Sequence, residues 1–178
     1  IPGTMGAAPM QNIGAYGVEL ESVFHSLQAV EIGTGKVRVF FKEECKFGYR
    51  DSIFKKEVKD KYVITGVNLQ LTREHKINIT YGAIQDVLKE RSILHPTIQD
   101  VSKAVISIRQ SKLPDPKVIG NAGSFFKNPV IAIEQFEKLK VTHPTLPGYP
   151  AEEGLTKVPA GWLIEQSGWK GYRKGNAG

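Results

Sequence analysis

Residues 62–72 read YVITGVNLQLT, with Val63, Thr65, Val67, Leu69 and Leu71 at every second position. That period puts all five side chains on one face of a β-strand. Towards the N-terminus, HSLQAVEI (25–32) and KVRVFF (36–41) flank Gly33-Thr34-Gly35 and predict a hairpin, in which Val37, Val39 and Phe41 alternate with Arg38 and Phe40. On the other side, KINITY (76–81) predicts a shorter strand that pairs back on 62–72. The period then changes. Residues 83–91 carry Ile84, Val87 and Leu88 on one helical face. Thr97 is a good N-cap with Asp100 three residues on, and Val101, Ala104, Val105 and Ile108 continue at helical spacing to Ser111. Pro114 and Pro116 forbid continuation, so a domain boundary is expected near Leu113.

Further on, Asn128-Pro129 predicts a helix over 130–140, with Asn128 as N-cap and Pro129 at the first position. THPTLPGYP (142–150) reads as a proline-rich connection, LTKVP (155–159) as a short strand, and AGWLIEQSG (160–168) as a short helix closed by Gly168. The opening stretch IPGTMGAAPMQNIGAYG (1–17) is too rich in glycine and proline for a helix interior and reads as an ordered loop. Strands and helices mix without regular βαβ alternation, which makes the fold class α+β.

Composition narrows the chemistry. The 178 residues are 40% hydrophobic and 24% charged, enough to build a core without a covalent or metal staple. The single cysteine, Cys45, excludes an internal disulfide and any site of several thiolates. No apolar run reaches membrane-spanning length, and Ile1-Pro2-Gly3 is not the start of a secretory signal, so a cytoplasmic location is expected. The net charge of +6 favours anionic partners, but the basic residues form no long block of the kind that makes a nucleic-acid-binding tail. Gly33-Thr34-Gly35-Lys36 fails as a phosphate loop, because Val30 and Val37 stand where glycine and a hydroxyl residue are needed. There is no dinucleotide-binding glycine fingerprint and no nucleophile elbow. The four histidines, His25, His75, His95 and His143, are too far apart for a local metal signature. The chain opens on Ile and closes on GYRKGNAG without a stop signal, and an internal piece of a longer protein is expected.

Three segments join glycine-rich backbone to reactive side chains. In residues 2–17, Gly3, Gly6, Ala7, Ala8 and Gly14 would let a ligand approach the main chain closely, although a tight packed turn is the ordinary reading. In FGYRDS (47–52), Arg50 could grip a carboxylate bidentately or simply pair with Asp51 or a neighbouring acid. In KLPDPK (112–117) with GNAGSFFKNP (120–129), Ser124 could donate a proton to a carbanion or enol, or only shape its turn. Lys112 suits a phosphate or merely a helix C-terminus.

Taken together, PGTMGAAPMQNIGAYGVEL, FGYRDSIFK, KLPDPK, GNAGSFFKNP and AGWLIEQ, in that order, resemble the UDP-N-acetylenolpyruvoylglucosamine reductases, the flavoenzymes that make UDP-N-acetylmuramic acid for bacterial peptidoglycan. ITYG around Tyr81 is similar to the tyrosine-bearing insertion of the family's first subtype. The resemblance implies a ping-pong reductase in which NADPH reduces FAD and leaves, and the enolpyruvyl ether then takes its place. It implies that Ser124 is the proton donor and that Arg50 binds the carboxylate and stabilises the enolate-like intermediate. It also implies that Gly6, Ala7, Gln11 and Gly14 lie along FAD. Tyr16, Tyr81, Lys112, Asn128, Tyr149 and Lys157 match positions around the nucleotide sugar or the NADPH phosphates. No metal, nucleic acid or membrane partner is implied, and the oligomeric state is left open.

On this resemblance, residues 1–112 are the C-terminal portion of a FAD-binding lobe, and 113–178 an incomplete α+β substrate-binding lobe. The family's N-terminal FAD lobe and its C-terminal catalytic Glu have no counterpart in the sequence, so little or no activity is expected of this chain alone. A non-catalytic nucleotide-sugar-binding fragment is the alternative. A basic nucleic-acid-binding domain is supported only by charge.

Overall fold

The computed structural model describes residues 4–74, 76–120 and 123–175. Gly3, His75, Asn121 and Ala122, which figured in the sequence reading, lie outside them. The chain divides into two compact units, residues 1–121 and 122–178.

The first unit opens with a 3-10 helix, Met5–Gln11, where a loop was expected. Pro9 is buried there and Ala8 is 7% exposed, so tertiary burial outweighs poor local propensity. The chain then makes a tight two-strand ladder, β1 (Gly14–Ala15) and β2 (Val18–Glu19). β3 (Phe24–Glu31) and β4 (Val37–Phe41) form the expected antiparallel hairpin, with Val30 opposite Val37. The short α1 (Lys42–Cys45) follows, its Glu44 carboxylate accepting from the Phe41 amide at 2.8 Å. That bond, with Arg38, holds the Glu44 carboxyl below the usual range. β5 (Tyr62–Leu69) completes a sheet of order β4-β3-β5.

The sheet departs from a simple alternation in two places. In β4 the buried residue is Phe40, whose ring meets Phe54 and Tyr62 edge-on, with the Arg38 guanidinium 4.2 Å above it. Val37, Val39 and Phe41 face outward. In β5 the five apolar positions do not share one face. The register skips Thr65, since Ala29 pairs with Ile64 and Gln28 with Gly66. This irregularity resets the phase. Tyr62 and Ile64 pack on the core before it and Val67 and Leu69 after it, while Val63 is exposed. The core itself gathers Phe24, Leu27, Ala29, Phe40, Ile53 and Phe54 beside the buried Cys45. Burial, with help from Glu44 and Glu43, pushes the Cys45 thiol up to about 12.

The strand expected over 76–81 does not form, and those residues are irregular. α2 (Gly82–Glu90) and α3 (Ile98–Lys112) are the two expected helices. Thr97 and Asp100 close a reciprocal capping box, and Ile84, Leu88, Ala104 and Ile108 make a separate core between the helices.

In the second unit, β6 (Val130–Ala132) comes first and α4 (Ile133–Thr142) only after it, so the helix begins three residues later than Asn128-Pro129 suggested. β7 (Tyr149–Pro150), inside the expected connection, and β8 (Leu155–Lys157) give a sheet of order β6-β8-β7. α5 (Ala160–Gln166) ends before Gly168, whose φ is +75°. Phe136, Leu146 and Val158 form this unit's core. The mixed, non-alternating order is that of an α+β protein, as expected.

The inverted faces of β4 give a sharp expectation. Phe40→Ala should lower stability by about 3–5 kcal/mol, as for other buried aromatics. Phe41→Thr, one residue away on the outer face, should stay within roughly 0.5 kcal/mol. Urea unfolding of both variants measures the contrast.

Candidate functional site

In the first unit Arg50 and Gly14 meet at one turn, which Asn12 organises. Asn12 follows the 3-10 helix with φ +43°, a left-handed conformation that asparagine tolerates better than most residues. It is fully buried. Its Nδ2 donates to Glu19 Oε2 at 3.0 Å and to the Gly48 carbonyl at 3.2 Å, while its Oδ1 accepts from the Glu21 amide at 2.9 Å. The Glu19–Glu21 stretch and the Gly48 turn are thereby tied to one carboxamide. Ser52 adds a second tie, donating to the Met10 carbonyl at 2.8 Å.

Arg50 sits within this frame. Its own φ is +55°, and the Lys55 ammonium donates to its carbonyl at 2.9 Å. Its Nη2 donates to the Gly14 carbonyl at 2.6 Å. Its Nη1 lies 3.6 Å from Glu19 Oε1, within ion-pair reach, yet is buried with no hydrogen-bond acceptor. The acid beside Arg50 is therefore Glu19. Asp51 instead pairs with Lys56.

The glycines predicted to face a ligand are used by the protein itself. A Cβ on Gly14 would stand 2.6 Å from the Val18 carbonyl and 2.7 Å from Glu19 Cγ. A Cβ on Gly6 would meet the Ile64 carbonyl at 3.3 Å. Ala7 and Gln11, on the same 3-10 helix, are exposed. Tyr16 and Tyr81 come together edge-to-face with centroids 5.2 Å apart, and Tyr16 packs against the α2–α3 core. Lys112 is the exposed last residue of α3.

In the second unit Ser124 is exposed, next to Gly123 with φ +76°. Phe125 and Phe126 beside it stack edge-to-face and are 90% and 61% exposed. Asn128 does not cap the helix that follows it. Its Oδ1 accepts from the Ala160 amide at 2.9 Å, the first turn of α5, where Pro159 offers no capping side chain. Tyr149 and Lys157 are cross-strand partners in β7 and β8. A shallow recess reaches Tyr149, lined also by Phe136, Gly148 and Thr156. Another, lined by Ile79, Gln85, Leu88 and Pro96, contains none of the predicted site residues. Among the described residues no cluster could hold a metal ion, and no helix is long and apolar enough to cross a membrane.

Sequence reasoning missed Asn12 and Glu19. Asn12 carried one local signal, an asparagine beside a glycine-rich turn. Glu19 carried none, because its importance comes from where β1 and β2 pair.

The α+β arrangement is shared with a solved oxidoreductase, the UDP-N-acetylenolpyruvylglucosamine reductase of Thermus caldophilus, at TM-score 0.55 and 22% identity over 98% of this chain and 45% of that one. Residues 115–178 match the model of the C-terminal domain of UDP-N-acetylenolpyruvoylglucosamine reductase. Reductases of that name from Pseudomonas syringae and Pseudomonas aeruginosa are 55% and 53% identical over all 178 residues. One from Flavobacterium johnsoniae is 54% identical over 179 aligned positions. Over its whole length the chain is thus similar to the UDP-N-acetylenolpyruvoylglucosamine reductases, and it spans about half the length of these curated relatives, 52–53% of each.

The tie between Asn128 and α5 is testable by itself. Asn128→Ala should lower the stability of the second unit by about 1 kcal/mol, the usual value of a lost helix cap. Asn128→Asp, which keeps an acceptor at the α5 N-terminus, should restore it. Denaturation followed by Trp162 fluorescence distinguishes the two.

Proposed function

We propose that this chain provides part of a flavin-dependent, NADPH-driven reductase of the enolpyruvyl ether of UDP-N-acetylglucosamine, acting in the cytoplasm in peptidoglycan synthesis. The observation that carries this reading is the Arg50 guanidinium, held by Gly14 and Glu19 with a buried Nη1 that lacks an acceptor. A fixed cation of this kind suits a carboxylate whose neighbouring carbon gains negative charge during reaction. The names of the relatives support the same chemistry.

The residues present fit the cofactors in part. Ala7 and Gln11 offer an exposed edge to FAD, and Gly6 and Gly14, whose missing Cβ atoms let the backbone pack closely, would lie along it with their main chain. Lys112 and Lys157 suit the phosphates of NADPH or of the sugar nucleotide, and Tyr16, Tyr81, Asn128 and Tyr149 match positions around the same ligands in the family that the chain resembles. FAD, when bound, would supply a hydride for the terminal vinyl carbon. Ser124 would give its hydroxyl proton to the carbon bearing the carboxylate, and Arg50 would bind that carboxylate and stabilise the charge that develops. On this reading residues 1–112 belong to a FAD-binding lobe of the family's first subtype, and 113–178 to a substrate-binding lobe.

The experiment separates the half-reactions. In a chain extended to the full length of its relatives, Ser124→Ala should leave flavin reduction by NADPH unchanged and slow product formation by about 10²–10⁴-fold. An equal loss in both halves would refute the role. The 178-residue chain alone, supplied with FAD and NADPH, should show little or no turnover. Tight binding of the sugar nucleotide by a full-length protein that never reduces it would favour the non-catalytic alternative.

A further inference from the structure

We propose that Glu19 is a positioning residue for the Arg50 guanidinium, itself held in place by Asn12. The inference rests on the reading of Arg50 as a carboxylate receptor. A guanidinium recognises a carboxylate through two parallel N–H bonds, so the plane of the fork must be fixed before the ligand arrives. The bond from Nη2 to the Gly14 carbonyl fixes one corner only. The Tyr49 ring, 5.3 Å from Cζ, backs the face of the guanidinium, and the remaining polar constraint is the Glu19 carboxylate beside Nη1.

The separation matters. At 3.6 Å, Glu19 Oε1 attracts Nη1 without accepting its proton. A closer, bidentate carboxylate would satisfy the fork and compete with any incoming anion. Glu19 is kept from closing in because its second oxygen, Oε2, is engaged by Asn12 Nδ2 at 3.0 Å, and Asn12 is fully buried with both amide donors in use. The two polar constraints on the guanidinium also come from one place, since Gly14 and Glu19 are cross-strand partners. Gly14 has no Cβ to obstruct the Glu19 side chain, which passes where one would be.

The test uses the 178-residue chain labelled with ¹⁵N at arginine and read by guanidinium-selective NMR. In the unaltered chain the Arg50 Nη1 and Nη2 groups should give two separate signals, the signature of restricted rotation. Glu19→Gln keeps an acceptor for Asn12 and removes only the charge, so exchange between the two signals should speed up several-fold while the backbone amide spectrum away from the turn is unchanged. An exchange rate in Glu19→Gln no faster than in the unaltered chain, or a single averaged signal in the unaltered chain, overturns the proposal. If Glu19→Gln does not fold, Glu19→Asp decides. It retains the charge one methylene further back and should broaden the pair, and an undisturbed pair overturns the proposal. Pyruvate, a small carboxylate probe, is then titrated in. A silent Arg50 would refute its role as a carboxylate receptor and leave the positioning by Glu19 standing.

Discussion

The buried amide of Asn12 is the constraint on which the first unit's site depends. A carboxamide out of contact with water must find partners for its donors and acceptor or destabilise the fold. Asn12 finds them in two stretches that the chain brings together there: the carboxylate of Glu19 and the amide of Glu21 in one, and the carbonyl of Gly48 in the other. Gly48 and Asp51 bridge each other, so the turn that carries Arg50 is clasped at both ends. The close passage at Gly14, the left-handed Asn12 and Arg50, and the Ser52–Met10 bond follow from the same packing.

The second unit solves a similar problem with the same side chain. Its last helix begins after a proline that cannot cap it, and Asn128, thirty-two residues earlier, supplies the missing acceptor. This fixes the C-terminal end of the Ser124 loop against α5. The central strand of the small sheet, β8, ends on Lys157, which stands between Val130 and Tyr149 in the last row of the sheet.

What the sequence made legible was local. Hairpin 25–41, helices α2 and α3, the Thr97–Asp100 box and the Gly168 stop follow from patterns within a few residues. What it hid was set by distant partners. The phase of β5 depends on a skipped residue opposite β3, and only pairing reveals it. Residues 76–81 alternate well but gain no ladder. Met5–Gln11 winds into a 3-10 helix because Ala8 and Pro9 are buried, against their local preference. Asn128 carries the composition of a cap but serves another helix. At the candidate site, Arg50 and Ser124 came from resemblance to a family, whereas Glu19 and Asn12 emerged only with coordinates, because register and burial give them their significance.

Cys45 adds an analytical consequence. Its thiol is fully buried at the end of α1, against the sheet that leads into the Asn12–Arg50 turn, and deep burial suppresses its ionisation. A thiolate-seeking reagent reaches it only when α1 lifts away, and the thiol then titrates in its normal range. As the single sulfhydryl of these 178 residues, it makes the rate of alkylation a stopwatch for local opening of the first unit, readable by mass without any engineered label.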